Sequence, residues 1–251
     1  MTRGYAMADT YIFRRVEKKY RLSDRQKIKL LERVGDRLIP DVHGQSTICS
    51  LYLDTPDHLL IRNSIDAKSY KEKLRLRSYG TPQAGSVVFL ELKKKYDGVV
   101  YKRRVSMTLE QAERYMDSGE APLQSQIMRE IDYAMGFYHR PKPAMLIAYE
   151  REAFTVENAP DLRLTFDASV RYRDTGLFLE SGSAGKVILA DGTYILEIKT
   201  GGAMPLWLSH ALDECDIRPI SFSKYGTAYL DTLNRPEPAV QKGENRYAIN
   251  F

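Results

Sequence analysis

The residues of this 251-residue chain that could do chemistry are mainly its cations, and they recur at a spacing of two. Lys71, Lys73, Arg75 and Arg77 alternate with Leu74 and Leu76, and Glu91, Lys93 and Lys95 oppose Leu90 and Leu92. Lys102 and Arg104 share a parity, as do Arg15, Glu17 and Lys19, and Glu197 and Lys199 oppose Leu196 and Ile198. Arg151 follows Tyr149 in phase, and Arg163 is in phase with Asp167. A period of two places alternate side chains on opposite faces of a strand, so each segment has one cationic and one aliphatic face. A solvated face of an antiparallel sheet also carries charge. Such a face mixes both signs with Ser, Thr and Gln, whereas here long cations dominate. Like charges on neighbouring strands repel, and a bound polyanion would offset that cost. The pattern therefore points to an anion-binding face. Lys93-Lys94-Lys95 resembles a nucleic-acid patch, but alternation divides the run between two faces and no aromatic stacking platform accompanies it, so no nucleic-acid partner is expected.

The charge is concentrated. Residues 62–104 hold twelve Lys or Arg against four Asp or Glu, a surplus larger than the +5 of the whole chain. Cys49 and Cys215 are far apart and in no metal-ligand spacing, which argues for a reducing, cytoplasmic compartment and against a disulfide framework or zinc site. The first residues contain no apolar signal-peptide core, and no run approaches the length of a membrane span. Any membrane role is expected to come through a membrane-protein partner. His43, His58, His139 and His210 are scattered, and no P-loop pattern occurs.

The elements that must position these cations read as eight strands, over 11–21, 46–54, 68–79, 86–96, 99–107, 144–156, 162–171 and 193–199. Asp97-Gly98 marks a tight hairpin between the fourth and fifth. Ser23 with Gln26, and Thr108 with Gln111, are capping-box starts for helices over 24–35 and from 109, the second ended by Gly119. Further helices are expected over 122–138, with Pro122 in the first turn, and over 205–215 and 222–233. The expected fold is α+β, an eight-stranded antiparallel β-barrel with helices packed outside. A charged interior covered by outward leucines inverts the usual small barrel.

In this order, the motifs resemble those of the VTC domain, the polyphosphate polymerase domain of the vacuolar transporter chaperone complex. Arg15-Val16-Glu17-Lys18-Lys19-Tyr20 is similar to its opening R-x-E-x-K-Y, Tyr52-Leu53-Asp54-Thr55-Pro56-Asp57 to its Y-x-D-T-x-D, and Lys73 to Gly80 to its K-x-R-x-R-x-Y-G strand. Glu91-Leu92-Lys93, Val100 to Arg104, Tyr149-Glu150-Arg151, Arg163 to Asp167, Leu196 to Lys199 and Phe222 to Tyr225 complete the set. The resemblance spans residues 11–231 as one domain, followed by a polar tail over 232–251. It implies membership of the CYTH-like triphosphate tunnel metalloenzymes. Lys19, Arg75, Arg77, Lys93, Lys102, Arg151, Arg163, Lys199 and Lys224 would bind phosphates, with Lys199 and Glu197 in the catalytic role. Glu197 would hold Mn²⁺ or Mg²⁺, assisted by Glu17 and Glu91. Eukaryotic polymerases of the family carry another Lys three residues before the one matching Lys224, and here that position is Ser221.

The implied reaction transfers the γ-phosphate of ATP to a polyphosphate chain. Such chemistry needs positioning and charge neutralisation more than a protein nucleophile. Hydrolysis of a triphosphate would use the same parts with water as acceptor. A non-catalytic binder of polyphosphate or inositol phosphates could dispense with the metal carboxylate, so the presence of Glu197 favours an enzyme.

Overall fold

The computed structural model describes residues 16–67, 69–97 and 99–235. Arg15 and the rest of the expected first-strand start, Gly98, and the tail beyond residue 235 lie outside the described residues. In chain order the elements are β1 (Val16–Ser23), α1 (Asp24–Val34), β2 (Leu38–Asp54), α2 (Leu59–Asp66), β3 (Tyr70–Tyr79), β4 (Val87–Tyr96), β5 (Val99–Thr108), α3 (Leu109–Ser118), α4 (Gln126–Phe137), β6 (Lys142–Val156), β7 (Ala159–Arg173), β8 (Lys186–Val187), β9 (Thr193–Thr200), α5 (Leu206–Glu214), β10 (Pro219–Ile220) and α6 (Lys224–Leu233). One antiparallel sheet runs β10-β1-β9-β7-β6-β2-β3-β4-β5, with β8 paired to β7.

The sheet is not the closed eight-stranded barrel that the pattern suggests. No ladder joins β5 to β1 among the described residues. The outer edge of β1 is partly taken by β10, which pairs Ile220 with Lys19 and Pro219 with Tyr20. The two arms of the sheet meet through side chains instead: Lys93 Nζ on β4 donates to Glu17 on β1 at 3.1 Å. The architecture is a strongly curled ten-stranded sheet.

Local chemistry explains most element boundaries. Both expected capping boxes form, with Gln26 N 3.3 Å from Ser23 Oγ and Gln111 N 3.2 Å from Thr108 Oγ1. Gly119 ends α3 at φ 78°, a left-handed conformation that glycine adopts without cost. Helix α4 starts later than Pro122, because Ser125 caps it by accepting from Met128 N. Helix α2 is absent from the sequence reading. Its first turn is capped by the buried Asp54 carboxylate, which accepts from Leu60 N at 2.9 Å and Ile61 N at 3.1 Å.

The two faces of the sheet have separate cores. On the convex face, Leu74, Leu76, Leu90 and Leu92 pack with α3 and α4. Leu22, Leu164, Phe166, Leu196 and Ile198 pack with α1 and α5. The concave face is divided. One part is apolar, where Ile48, Tyr52, Ile147, Tyr149, Val170 and Ile195 pack against Tyr225 and Ala228 of α6 and Ile61 of α2. The other part carries the charges. On β7 the division falls at a bulge: Ala148 pairs with Arg171 but Glu150 with Ala168, and the extra residue, Ser169, has φ 49°. An extra residue shifts strand parity, so Asp167 and Val170 both face inward.

Asp54 joins β2, α2 and α6, since it also accepts from Tyr225 OH at 2.8 Å. Replacing Asp54 with Ala leaves three buried donors unmatched, and urea denaturation should show a loss of about 3 kcal/mol.

Candidate active site

The concave charges form two clusters. The first surrounds Glu91, whose side chain is 1% exposed on the central strand of β3-β4-β5. Arg75 Nε approaches it at 2.8 Å, Arg104 Nε at 2.6 Å and Lys102 Nζ at 2.7 Å, with Arg77 at 3.9 Å. The register produces this cage, because Glu91 lies opposite Arg75 on one side and Arg104 on the other. Burial opposes the Glu91 charge, but Arg75, Arg77, Lys102 and Arg104 outweigh it and hold the carboxyl far below its usual range.

The second cluster holds three carboxylates. Asp167, wholly buried, accepts a two-pronged contact from Arg151 at 2.6 and 2.8 Å and another from Lys224 at 2.5 Å. Glu197 pairs with Lys199 at 3.0 Å and lies 3.9 Å from Arg151. Glu17 lies against Glu197 and receives Lys93 and, at 3.7 Å, Lys19. Burial disfavours the Glu197 charge, yet Lys199, Lys19 and Arg151 hold its carboxyl well below the ordinary value. The site thus keeps an ionised carboxylate beside Glu17.

The structure therefore brings Glu17, Lys19, Lys93, Arg151, Glu197, Lys199 and Lys224 into one cluster, and Arg75, Arg77, Glu91 and Lys102 into the other. Arg163 lies opposite Lys199 on the neighbouring strand, bonds Asp41 and is 46% exposed. Ser221 is exposed. Lys94 points to the convex face and pairs with Glu72 at 2.9 Å, while Lys93 points inward, so the lysine run is divided as its alternation predicts.

Several contributors were missing from the sequence-derived site: Asp167, Arg104, Lys73 and Tyr52. Arg104 and Lys73 were legible as in-phase cations, and Asp167 as the partner in phase with Arg163. Tyr52 gave no chemical signal. Its hydroxyl accepts from Arg75 at 3.1 Å, and its ring stacks on Tyr225 at 4.4 Å. Burial opposes its ionisation, but Arg75, Lys73 and Arg77 bring the phenol down to about 8.

Among the described residues, no group of three or more His, Cys, Asp or Glu side chains is arranged to hold a metal alone. The neighbouring Glu17 and Glu197 carboxylates still suit a hard divalent ion. Such ions are held by one or two carboxylates, with waters and substrate phosphates completing the shell.

Residues 14–232 match the model of the VTC domain. The chain belongs to the VTC domain family. No curated protein matches it. This VTC domain shares its fold with a candidate adenylate cyclase from Bacillus halodurans (14% identity, TM-score 0.51, covering 83% of this chain and 92% of the other). It also shares it with a candidate adenylyl cyclase from Hippeastrum, described as having a dominant triphosphatase activity (15% identity, TM-score 0.51, covering 86% and 96%). At these identities the likeness concerns the fold alone.

An anion seated beside the partly buried Lys73 and Lys102 would bind with a pH dependence. Burial lowers Lys73 to about 8 and Lys102 to about 7, the latter despite Glu91. An anion favours the protonated forms, so binding takes up protons above these values. Affinity for tripolyphosphate should fall as pH rises through about 7 to 8, by up to about tenfold per pH unit for each lysine titrating. Titration calorimetry in buffers of different ionisation enthalpy would read both the affinity and the proton uptake.

Proposed function

We propose that this VTC domain is a metal-dependent phosphotransferase that moves the γ-phosphate of ATP onto a polyphosphate chain, with Mn²⁺ or Mg²⁺ at Glu197 and Glu17. The observation that carries this reading is the excess of inward cations. Among the described residues, Lys19, Lys73, Arg75, Arg77, Lys93, Lys102, Arg104, Arg151, Lys199 and Lys224 gather around four carboxylates, Glu17, Glu91, Asp167 and Glu197, while Asp54 on the same face is taken up by α2 and Tyr225. A bound polyanion matches that surplus, and its affinity falls with salt.

The chain's own groups supply positioning. Arg75, Arg77 and Arg104 offer planar donor sets for phosphate oxygens, and lysines act as point charges. Two anions that repel each other must be held in line, so that a terminal phosphate oxygen of the acceptor attacks the γ-phosphorus as its bond to the ADP oxygen breaks. Glu91 and Asp167 hold the arginines in place for this. Lys199, 3.0 Å from Glu197, would neutralise charge at the transferring group. Glu197 and Glu17 would hold the divalent ion, which would supply charge stabilisation to the reacting phosphates.

Hydrolysis of a triphosphate is the second reading. It is favoured by Glu17, a partly exposed carboxylate beside Glu197 that could orient a water. The protein should be incubated with ATP and Mn²⁺, with and without a short polyphosphate primer, and both chains and free phosphate measured. Long chains with stoichiometric ADP would support the polymerase. Free phosphate without chains would show the hydrolase, and tight binding without either product would indicate a binder. Glu197→Gln should abolish turnover and spare anion binding; unchanged turnover would remove Glu197 from the metal site. Replacing both Arg75 and Arg77 with Ala should remove turnover and binding together.

A further inference from the structure

Strand β7 turns Arg163, Thr165 and Asp167 to the concave face, while Leu164 and Phe166 enter the convex core. Arg163 bonds Asp41, and Asp167 binds Arg151 and Lys224. Thr165 between them is different. It is 1% exposed, and its hydroxyl makes no hydrogen bond to any described residue. A threonine hydroxyl carries one donor and two acceptor lone pairs, and burying it unmatched costs stability. Valine would fill the same shape without that cost, so packing does not account for the hydroxyl. Three other buried side-chain atoms are unmatched among the described residues, His58 Nδ1, Arg140 Nη1 and Arg171 Nε. None of them belongs to the cluster around Glu197.

The register shows what Thr165 faces. It lies opposite Glu197 of β9 on one side and Ala153 of β6 on the other. Directly opposed side chains on one face have Cβ atoms about 4.5–5.5 Å apart. Ala153 has no polar atom, so the polar group across the ladder is the Glu197 carboxylate. On the far side of β9, Glu17 of β1 lies against Glu197. Three oxygen-bearing side chains therefore sit side by side on the adjacent strands β1, β9 and β7. Two are carboxylates and one is a neutral hydroxyl. Hard divalent ions combine these two ligand types, as where a Ser or Thr hydroxyl and an Asp share Mg²⁺ beside phosphates. The hydroxyl adds no negative charge, so the cations Lys19, Arg151 and Lys199 keep their surplus for a bound anion.

We propose that Thr165 is a further residue of the divalent-ion site, its hydroxyl oxygen joining Glu197 and Glu17 around the ion. The inference rests on the metal reading given above and adds a neutral ligand to it. The test is titration of the protein with Mn²⁺ alone, followed by the paramagnetic resonance signal of free Mn²⁺, for the unaltered chain and for Thr165→Val, Thr165→Ser and Glu197→Gln. Thr165→Val should weaken Mn²⁺ binding by about tenfold or more, and Thr165→Ser should keep close to the original affinity. In urea without metal, Thr165→Val should unfold at the same or a higher midpoint, because it removes an unmatched polar group. Unchanged Mn²⁺ affinity in Thr165→Val would overturn the proposal, as would equal losses in the Val and Ser variants. A lower urea midpoint for Thr165→Val would also overturn it, since the hydroxyl would then serve the fold itself. No Mn²⁺ binding by the unaltered chain, or binding that Glu197→Gln does not weaken, would overturn the metal reading and the inference with it.

Discussion

The rest of the structure depends on how like charges are kept together on one face of a sheet. Neighbouring strands that each present lysine or arginine to the same side repel, and the protein answers with a few deeply buried carboxylates. Glu91 binds cations from β3 and β5 as well as its own neighbourhood, and so holds three strands in register. Asp167 joins β6, β7 and α6 through Arg151 and Lys224. Glu17 links β1 to β4, across the opening that no backbone ladder spans. Removing one partner of a buried pair costs about 3–5 kcal/mol, so these carboxylates are structural keystones as well as parts of the site. The same arrangement leaves most cations partly exposed and available to a larger anion.

This solution also explains why apolar packing is found on both sides of the sheet. The convex leucines carry the helices, and that burial supplies the hydrophobic stabilisation a charged interior cannot. The concave apolar patch has a different task, which is to seat α6 and α2. A single added residue at Ser169 lets β7 serve both parts of that face, presenting Asp167 to one and Val170 to the other.

Much of this was legible in the sequence because a period of two survives any detail of tertiary structure. The parity of Lys73, Arg75 and Arg77 against Leu74 and Leu76 assigned each to its face, and the two capping boxes placed α1 and α3. Barrel closure was not legible, since it depends on whether two distant edges meet, and β10 is too short to leave a periodic signal. Helix α2 was hidden because its cap is Asp54, a strand residue that accepts from donors six and seven positions later. The apolar part of the concave face escaped for a related reason. Tyr225 and Ala228 meet Tyr52 and Ile147 only through folding, and the bulge at Ser169 breaks the parity by which Val170 would have been assigned. The separation of Glu91 from Glu17 and Glu197 likewise follows from sheet curvature, which spacing does not encode.

The place of α6 in the chain has a consequence for biosynthesis. All the strands of the sheet precede residues 224–233, so a ribosome delivers them before the helix that packs against them. Until α6 emerges, Lys19 and Lys73 lack Phe222 and Ser223, and Asp167 has Arg151 but not Lys224. Cellular polyanions present during translation would meet this unfinished form first, and they would compete with the protein's own helix for the same lysines. Folding of this domain is thereby coupled to the order in which its segments are made.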